Sequence, residues 1–210
     1  TSQHTTQIGI TVSTAHHASP AIADMSEQMQ IRLEKRAKLI ESGREAYPVG
    51  LLDSEGNRVE PNHIEDLRAE YDPKLESGEL KAGDETDRVV HVGGRVVFVR
   101  NTGKLCFATL QGGTEGKRIQ AMLSLAEVGE ESLAEWKSLV DLGDHVFVTG
   151  RVIVSRRGEL SIMVTDWKMA SKALRPMPVL HKDLNEETRV RQRYLDLMVR
   201  EEARELVKKR

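Results

Sequence analysis

The chain lacks the means for an intrachain disulfide: its 210 residues include one cysteine, Cys106. A lone thiol suits a reducing compartment, so a cytoplasmic protein is expected. No apolar run approaches the roughly 20 residues that a membrane-spanning helix needs. The first residues carry neither a positive start nor an apolar core, and no secretory signal is read there. Charge of one sign is lacking too: 31 Lys and Arg stand against 33 Asp and Glu, a formal net charge of −2. Bulk charge therefore does not draw the chain to nucleic acid, and any such affinity has to come from a local surface. No Cys or His cluster has zinc spacing. The many carboxylates form no recognisable acid–base pair. No catalytic residue and no metal site is assigned.

Residues 1–24 contain no Lys or Arg and a single acid, Asp24, among Thr, Ser, Gln, His and Ala. They read as a flexible extension. His4, His16 and His17 are able to take up a stray metal ion, but they fit a polar tail better. A helix is expected next. Asp24 and Glu27 have capping-box spacing. Met25, Met29, Leu33, Ala37 and Ile40 recur at helical intervals, and Gly43 is a natural stop. Arg32, Lys35, Arg36 and Lys38 give this helix a basic side, either a solvated face or an RNA contact. Residues 51–87 are acidic and turn-rich. They read as a connector with a short helical stretch near Ile64, Leu67 and Tyr71 and a polar loop from Ser77 to Asp87.

From Arg88 the period becomes that of strands. Val89 to Arg100 is interrupted by Gly93-Gly94, which predicts a bulge or tight bend, as at a barrel corner. Leu105 to Gln111 and Arg118 to Ser124 follow, joined by a hairpin loop from Gly112 to Lys117. That loop superficially resembles a phosphate loop. It lacks the spacing, however, and joins two strands rather than a strand and a helix. A helix over Glu131 to Val140 shows Leu133, Trp136 and Leu139 or Val140 on one side. Strands over His145 to Val154 and Leu160 to Met169 meet at Arg157-Gly158. Three strands, a helix and two strands is the element order of an OB-fold, a five-stranded partly open barrel. The fold class expected is mainly β, with an N-terminal helical extension and a C-terminal helix.

Side chains alternate across a strand, so parity assigns faces. Cys106, Ala108 and Leu110 share one face with Ile119, Ala121, Leu123, Leu160, Ile162 and Val164 as the core. Cys106 is then a packed residue rather than a nucleophile. Phe107, Thr109, Gln111, Arg118, Gln120, Met122, Glu159, Ser161, Met163 and Thr165 face away. A ring, a guanidinium, an amide and a carboxylate on one surface suit unpaired bases. The alternative is that Phe107 is an ordinary barrel residue.

Two segments carry a family resemblance. Ser171-Lys-Ala-Leu-Arg-Pro-Met-Pro178, followed by Glu187-Thr-Arg-Val-Arg-Gln-Arg-Tyr-Leu-Asp-Leu197, resembles the junction between anticodon and catalytic domains in bacterial class II lysyl-tRNA synthetases. The Arg-Tyr-Leu-Asp-Leu core is shared with the aspartyl and asparaginyl members. The helix ending at Tyr47-Pro48, Gly94-Arg95, Gly103-Lys104 and Gly158-Glu159-Leu160-Ser161 resemble the lysyl family too. The likeness runs over about residues 25–210. It implies a barrel that binds the uridine-rich anticodon loop of lysine tRNA. In it Phe107 stacks on the central base, Gln120 reads that base, Arg100 lies at the anticodon, and Glu159 lies near the first base. Arg118, Arg32 and Arg36 are further candidate RNA contacts. The parts expected are an extension (1–24), a helix and connector (25–87), the OB barrel (88–172), and a linker with the first motif helix of the catalytic domain (173–210). The resemblance implies a homodimeric parent that ligates lysine to tRNA with ATP and Mg²⁺. The chain stops before the motifs that hold these, so no cofactor and no activity are expected of it alone. Rival readings are a generic single-strand-binding OB module, an aspartyl- or asparaginyl-type fragment, and a lipid-modifying lysyl-transferase relative.

Overall fold

A computed structural model describes residues 26–52, 55–113, 115–178 and 184–210. The expected extension, with His4, His16, His17, Asp24 and Met25, lies outside the described residues. The first helix, α1 (Glu27–Glu41), is capped by Ser26, whose side chain accepts the Met29 N–H, rather than by Asp24. It ends as Gly43 predicts. Gly43 has φ +78°, its N–H reaches Ile40 O, and the Arg44 N–H reaches Leu39 O, which together close the last turn.

The face that α1 buries differs from the apolar stripe expected from its sequence. Ala37 and Ile40 are exposed, whereas Arg32 and Leu39 are buried. The helix docks on a polar seam. Arg32 donates to Ala173 O at 3.0 Å and to Leu142 O at 2.9 Å. Lys35 pairs with Asp141 at 2.6 Å. Beneath them the fully buried Lys172 ammonium reaches Asp141 at 2.6 Å, Asp144 at 2.7 Å and Leu139 O at 2.7 Å. Buried charge is tolerated only when paired and hydrogen-bonded in this way. Burial alone would raise the Asp141 carboxyl, but hydrogen bonds from Lys172 and Lys35 outweigh it and hold it below the usual carboxylate range.

The second helix, α2 (Ile64–Glu76), is longer than the expected stretch and buries Ile64, Leu67 and Tyr71. Strand β1 (Glu85–Thr102) then begins inside the expected loop. With β2 (Leu105–Gly112), β3 (Lys117–Ser124), β4 (His145–Val154) and β5 (Leu160–Ser171) it closes a barrel in the order β1-β2-β3-β5-β4. The helices α3 (Leu125–Val128) and α4 (Glu130–Leu139) lie between β3 and β4. The residues that parity assigned to the core on β2, β3 and β5 are all buried. Trp136 of α4 meets Trp167 edge to face at 5.1 Å.

Strand β1 serves two neighbours. Val89 to Arg95 pair with β4, and Arg95 to Thr102 pair with β2. At the changeover a Cβ on Gly94 would lie 2.9 Å from the Leu110 Cβ, so the corner needs glycine there. The register with β2 slips between Val96 and Phe98, so the bulge falls at Val97 rather than at the glycines. Beyond the barrel, the single C-terminal helix expected is three: α5 (Glu186–Arg191), α6 (Arg193–Val199) and α7 (Glu201–Lys208). The breaks fall at Gln192 and Arg200, where the backbone leaves helical angles. The turns gather around the buried Asp196 carboxylate, which Arg193 and Arg200 reach at 2.7 and 3.2 Å.

Candidate nucleic-acid interface

Strand pairing sorts the outward side chains into rows. Phe98 lies opposite Thr109, Thr109 opposite Gln120, and Gln120 opposite Ser161. In the next row Arg100 lies opposite Phe107, Phe107 opposite Met122, and Met122 opposite Met163. These rows floor a cleft of about 910 Å³, whose lining includes Phe98, Arg100, Phe107, Gln120, Arg118 and Glu159. Phe107, Gln120, Arg100 and Glu159, named from the sequence, therefore border one space.

Their local geometry is specific. The Arg100 guanidinium sits over the Phe107 ring, 4.8 Å from its centre. The Ser161 hydroxyl, fully buried although parity turned it outward, lies 3.0 Å from Gln120 Oε1 and 2.9 Å from the Glu159 carbonyl. Glu159 follows the left-handed Gly158 (φ +82°). Arg68 of α2 donates to the Glu159 carboxylate at 3.1 Å and to the Arg118 carbonyl at 2.8 Å. The second helix thus buttresses the cleft. Arg118 is exposed at its edge and reaches Gln111 Oε1 at 3.4 Å.

The helical candidates part company from these. Arg32 is itself buried, and its two outer nitrogens donate to the Ala173 and Leu142 carbonyls, which makes it a bolt between the helix and the barrel. Arg36 is half-buried, with its guanidinium over the Tyr47 ring at 5.6 Å. Neither lines the cleft. Cys106 is buried, and burial pushes its thiol up, away from nucleophilic use.

Residues 90–170 match the family of OB-fold nucleic acid binding domains associated with the tRNA anticodon. The chain is 55% identical over 187 residues to a lysine–tRNA ligase of Kineococcus radiotolerans, covering 89% of this chain and 35% of that protein. It is 53% identical over 188 residues to a lysine–tRNA ligase of Mycolicibacterium gilvum, covering 89% of this chain and 34% of that protein. The chain belongs to the lysyl-tRNA synthetase family. Its likeness lies in the anticodon-binding region, and it spans about a third of the length of these curated relatives. A weaker likeness, 35% over 191 residues, links it to a lysylphosphatidylglycerol biosynthesis bifunctional protein of Mycobacterium avium, covering 90% of this chain and 14% of that protein. Among the described residues no helix is long and apolar enough to cross a membrane. Nor do three His, Cys, Asp or Glu side chains come together there as metal ligands.

Two residues of this synthetase-family cleft escaped the sequence reading. Phe98 is 55% exposed on the floor, yet unbroken alternation from Val96 would have turned it inward. The run Val96-Val97-Phe98-Val99 has no alternation to show this; Val96 and Val97 both end up inside, and the register slips before Phe98. Arg68 had no signal, since its position depends on how α2 crosses the barrel.

Proposed function

We propose that the cleft binds the anticodon loop of a lysine tRNA and reads its central uridine through Phe107 and Gln120. The observation that carries this reading is the Ser161 hydroxyl held 3.0 Å from Gln120 Oε1 beside the Phe107 ring. A hydroxyl has one proton. The Ser161 hydroxyl shares it between Gln120 Oε1 and the Glu159 carbonyl, so that Oε1 is turned toward Ser161 and the amide nitrogen is the group left for a ligand. That nitrogen donates. Uracil offers a keto oxygen where cytosine offers an amino group, so a donor at this point favours uridine. The Phe107 ring supplies stacking, which any base accepts. Arg100 joins the ring to the strand's negative charge, and Glu159, held by Arg68, lies at the cleft edge.

The whole protein is proposed to ligate lysine to its tRNA with ATP and Mg²⁺, as a cytoplasmic homodimer.

Titrating stem-loops that carry each base at the central position tests the reading. Phe107→Ala should weaken binding of all four by roughly 1–3 kcal/mol. Gln120→Ala should erode the preference for uridine over cytidine more than it lowers affinity. A wild-type preference for cytidine would mean that the amide oxygen faces the base, and would sink the assignment.

A further inference from the structure

We infer that Phe98 is a second base platform, holding the nucleotide next to the one stacked on Phe107. This rests on the reading of the cleft as an RNA site, and it enlarges the ligand from one read base to two consecutive splayed bases. Three observations carry it.

The first is the bulge. Val96 and Val97 are both buried, and the register slips between Val96 and Phe98. Without the extra residue, Phe98 would point into the barrel and join the core. With it, Phe98 and Arg100 both turn outward, and Arg100 lands directly opposite Phe107. One backbone irregularity aims both side chains at the cleft, which is a common use of bulges beside binding sites.

The second is exposure. A phenylalanine on a barrel is ordinarily covered, yet Phe98 is 55% exposed. Among the described residues it stacks on no ring and takes no cation over its face. The other exposed rings differ. Tyr47 donates to the Lys172 carbonyl and lies under Arg36, and Tyr194 borders a separate pocket. Phe98 is the ring that faces the cleft with nothing on it.

The third is placement. Phe107 on β2 has Gln120 on one diagonal, toward β3, and Phe98 on the other, toward β1. Diagonal neighbours across antiparallel strands stand about 7–8 Å apart, within reach of aromatic side chains. A base whose edge meets Gln120 lies toward β3. Its neighbour in the strand then falls toward β1, over Phe98. Because stacking tolerates any base, this second position adds affinity without sequence choice.

The test is a double-mutant cycle on the full chain with the lysine anticodon stem-loop. An abasic site is placed in turn at each nucleotide flanking the central base. Phe98→Ala should weaken binding about five- to a hundredfold, the range for one stacked base. The same abasic position that costs wild type a similar factor should cost Phe98→Ala almost nothing further. Phe98→Tyr should bind like wild type, and Phe98→Leu, which keeps the apolar bulk but not the ring, should bind like Phe98→Ala. Additive losses at both flanks would overturn the inference. So would a Phe98→Ala protein that binds normally while Phe107→Ala does not, and in that case the reading of the cleft would stand. If wild type fails to bind the stem-loop, both fall. Thermal melting of each variant separates lost contacts from lost folding.

Discussion

The seam under α1 and the cleft on β1–β3 use the same residue types to opposite ends. The seam holds Arg32, Lys35, Lys172, Asp141 and Asp144, and every one of these is bonded to another part of the chain. The cleft holds Arg100, Arg118, Gln120 and Glu159 with part of their bonding capacity uncommitted, beside an uncovered ring. Charge on a helix or strand says little about ligands. What distinguishes the two regions is saturation: in the seam the protein satisfies its own polar groups, and in the cleft it leaves them for a partner.

The largest effect that would break this contrast is expected at Asp144. Its carboxylate accepts from Lys172, from the Ala173 N–H and from the Asp141 N–H, all at 2.7–2.8 Å. Asp144→Ala leaves the buried ammonium one anion short, and should cost about 3–5 kcal/mol of stability. Urea unfolding measures this. A variant as stable as wild type would mean that the seam is not the fastening it is described as.

A matched pair of arginines sharpens the comparison. Arg32→Ala removes a buried guanidinium and the donors to the Ala173 and Leu142 carbonyls, and should lower stability by roughly 1.5–3 kcal/mol. At fixed folded fraction it should leave the salt dependence of stem-loop binding unchanged. Arg100→Ala should do the reverse. It should leave the melting temperature nearly unchanged while flattening the slope of log affinity against log salt by about one, as for loss of one phosphate contact. If Arg32→Ala flattens that slope instead, the helix touches RNA after all.

The barrel was legible in the sequence because its strands obey period two. Cys106, Ala108 and Leu110 against Phe107, Thr109 and Gln111 is a clean alternation, and burial follows it. The turn at Gly158 and the stop at Gly43 were legible because left-handed backbone there needs glycine. Three features were not legible. The Val96-Val97-Phe98-Val99 run has no alternation, so it hid the bulge that places Phe98. The α1 stripe of Met29, Leu33, Ala37 and Ile40 misled because the helix turns Leu39 into the core instead and seats Arg32 and Lys35 on carbonyls and a carboxylate. Finally, Gln192 and Arg200 carry no helix-breaking chemistry. They interrupt the C-terminal helices around Asp196, whose pull on arginines is a matter of tertiary placement.

The smallest effect expected separates the two regions by pH. Burial, helped by Arg95 and partly opposed by Asp144, pushes the His145 imidazole below its ordinary 6.5. The unfolded chain therefore takes up that proton first. The stability His145 contributes is fully present above pH 6.5 and is lost as pH falls through the lower folded value. Asp141, held below 3.8 by its two lysines, contributes stability that is present above 3.8 and is lost only as pH falls further. Stability should thus decline once below pH 6.5 and again below 3.8. His145→Gln should flatten the first decline and leave the second. The proposed readers of the cleft behave otherwise. Neither Phe107 nor Gln120 titrates, so the preference for uridine over cytidine should stay constant between about pH 5 and 7 while stability drifts. Urea midpoints across this range, set beside stem-loop titrations in the same buffers, measure both. A uridine preference that tracks the His145 titration would mean that the seam and the cleft are coupled, and that the division between saturated and uncommitted polar groups is not the one that organises this molecule.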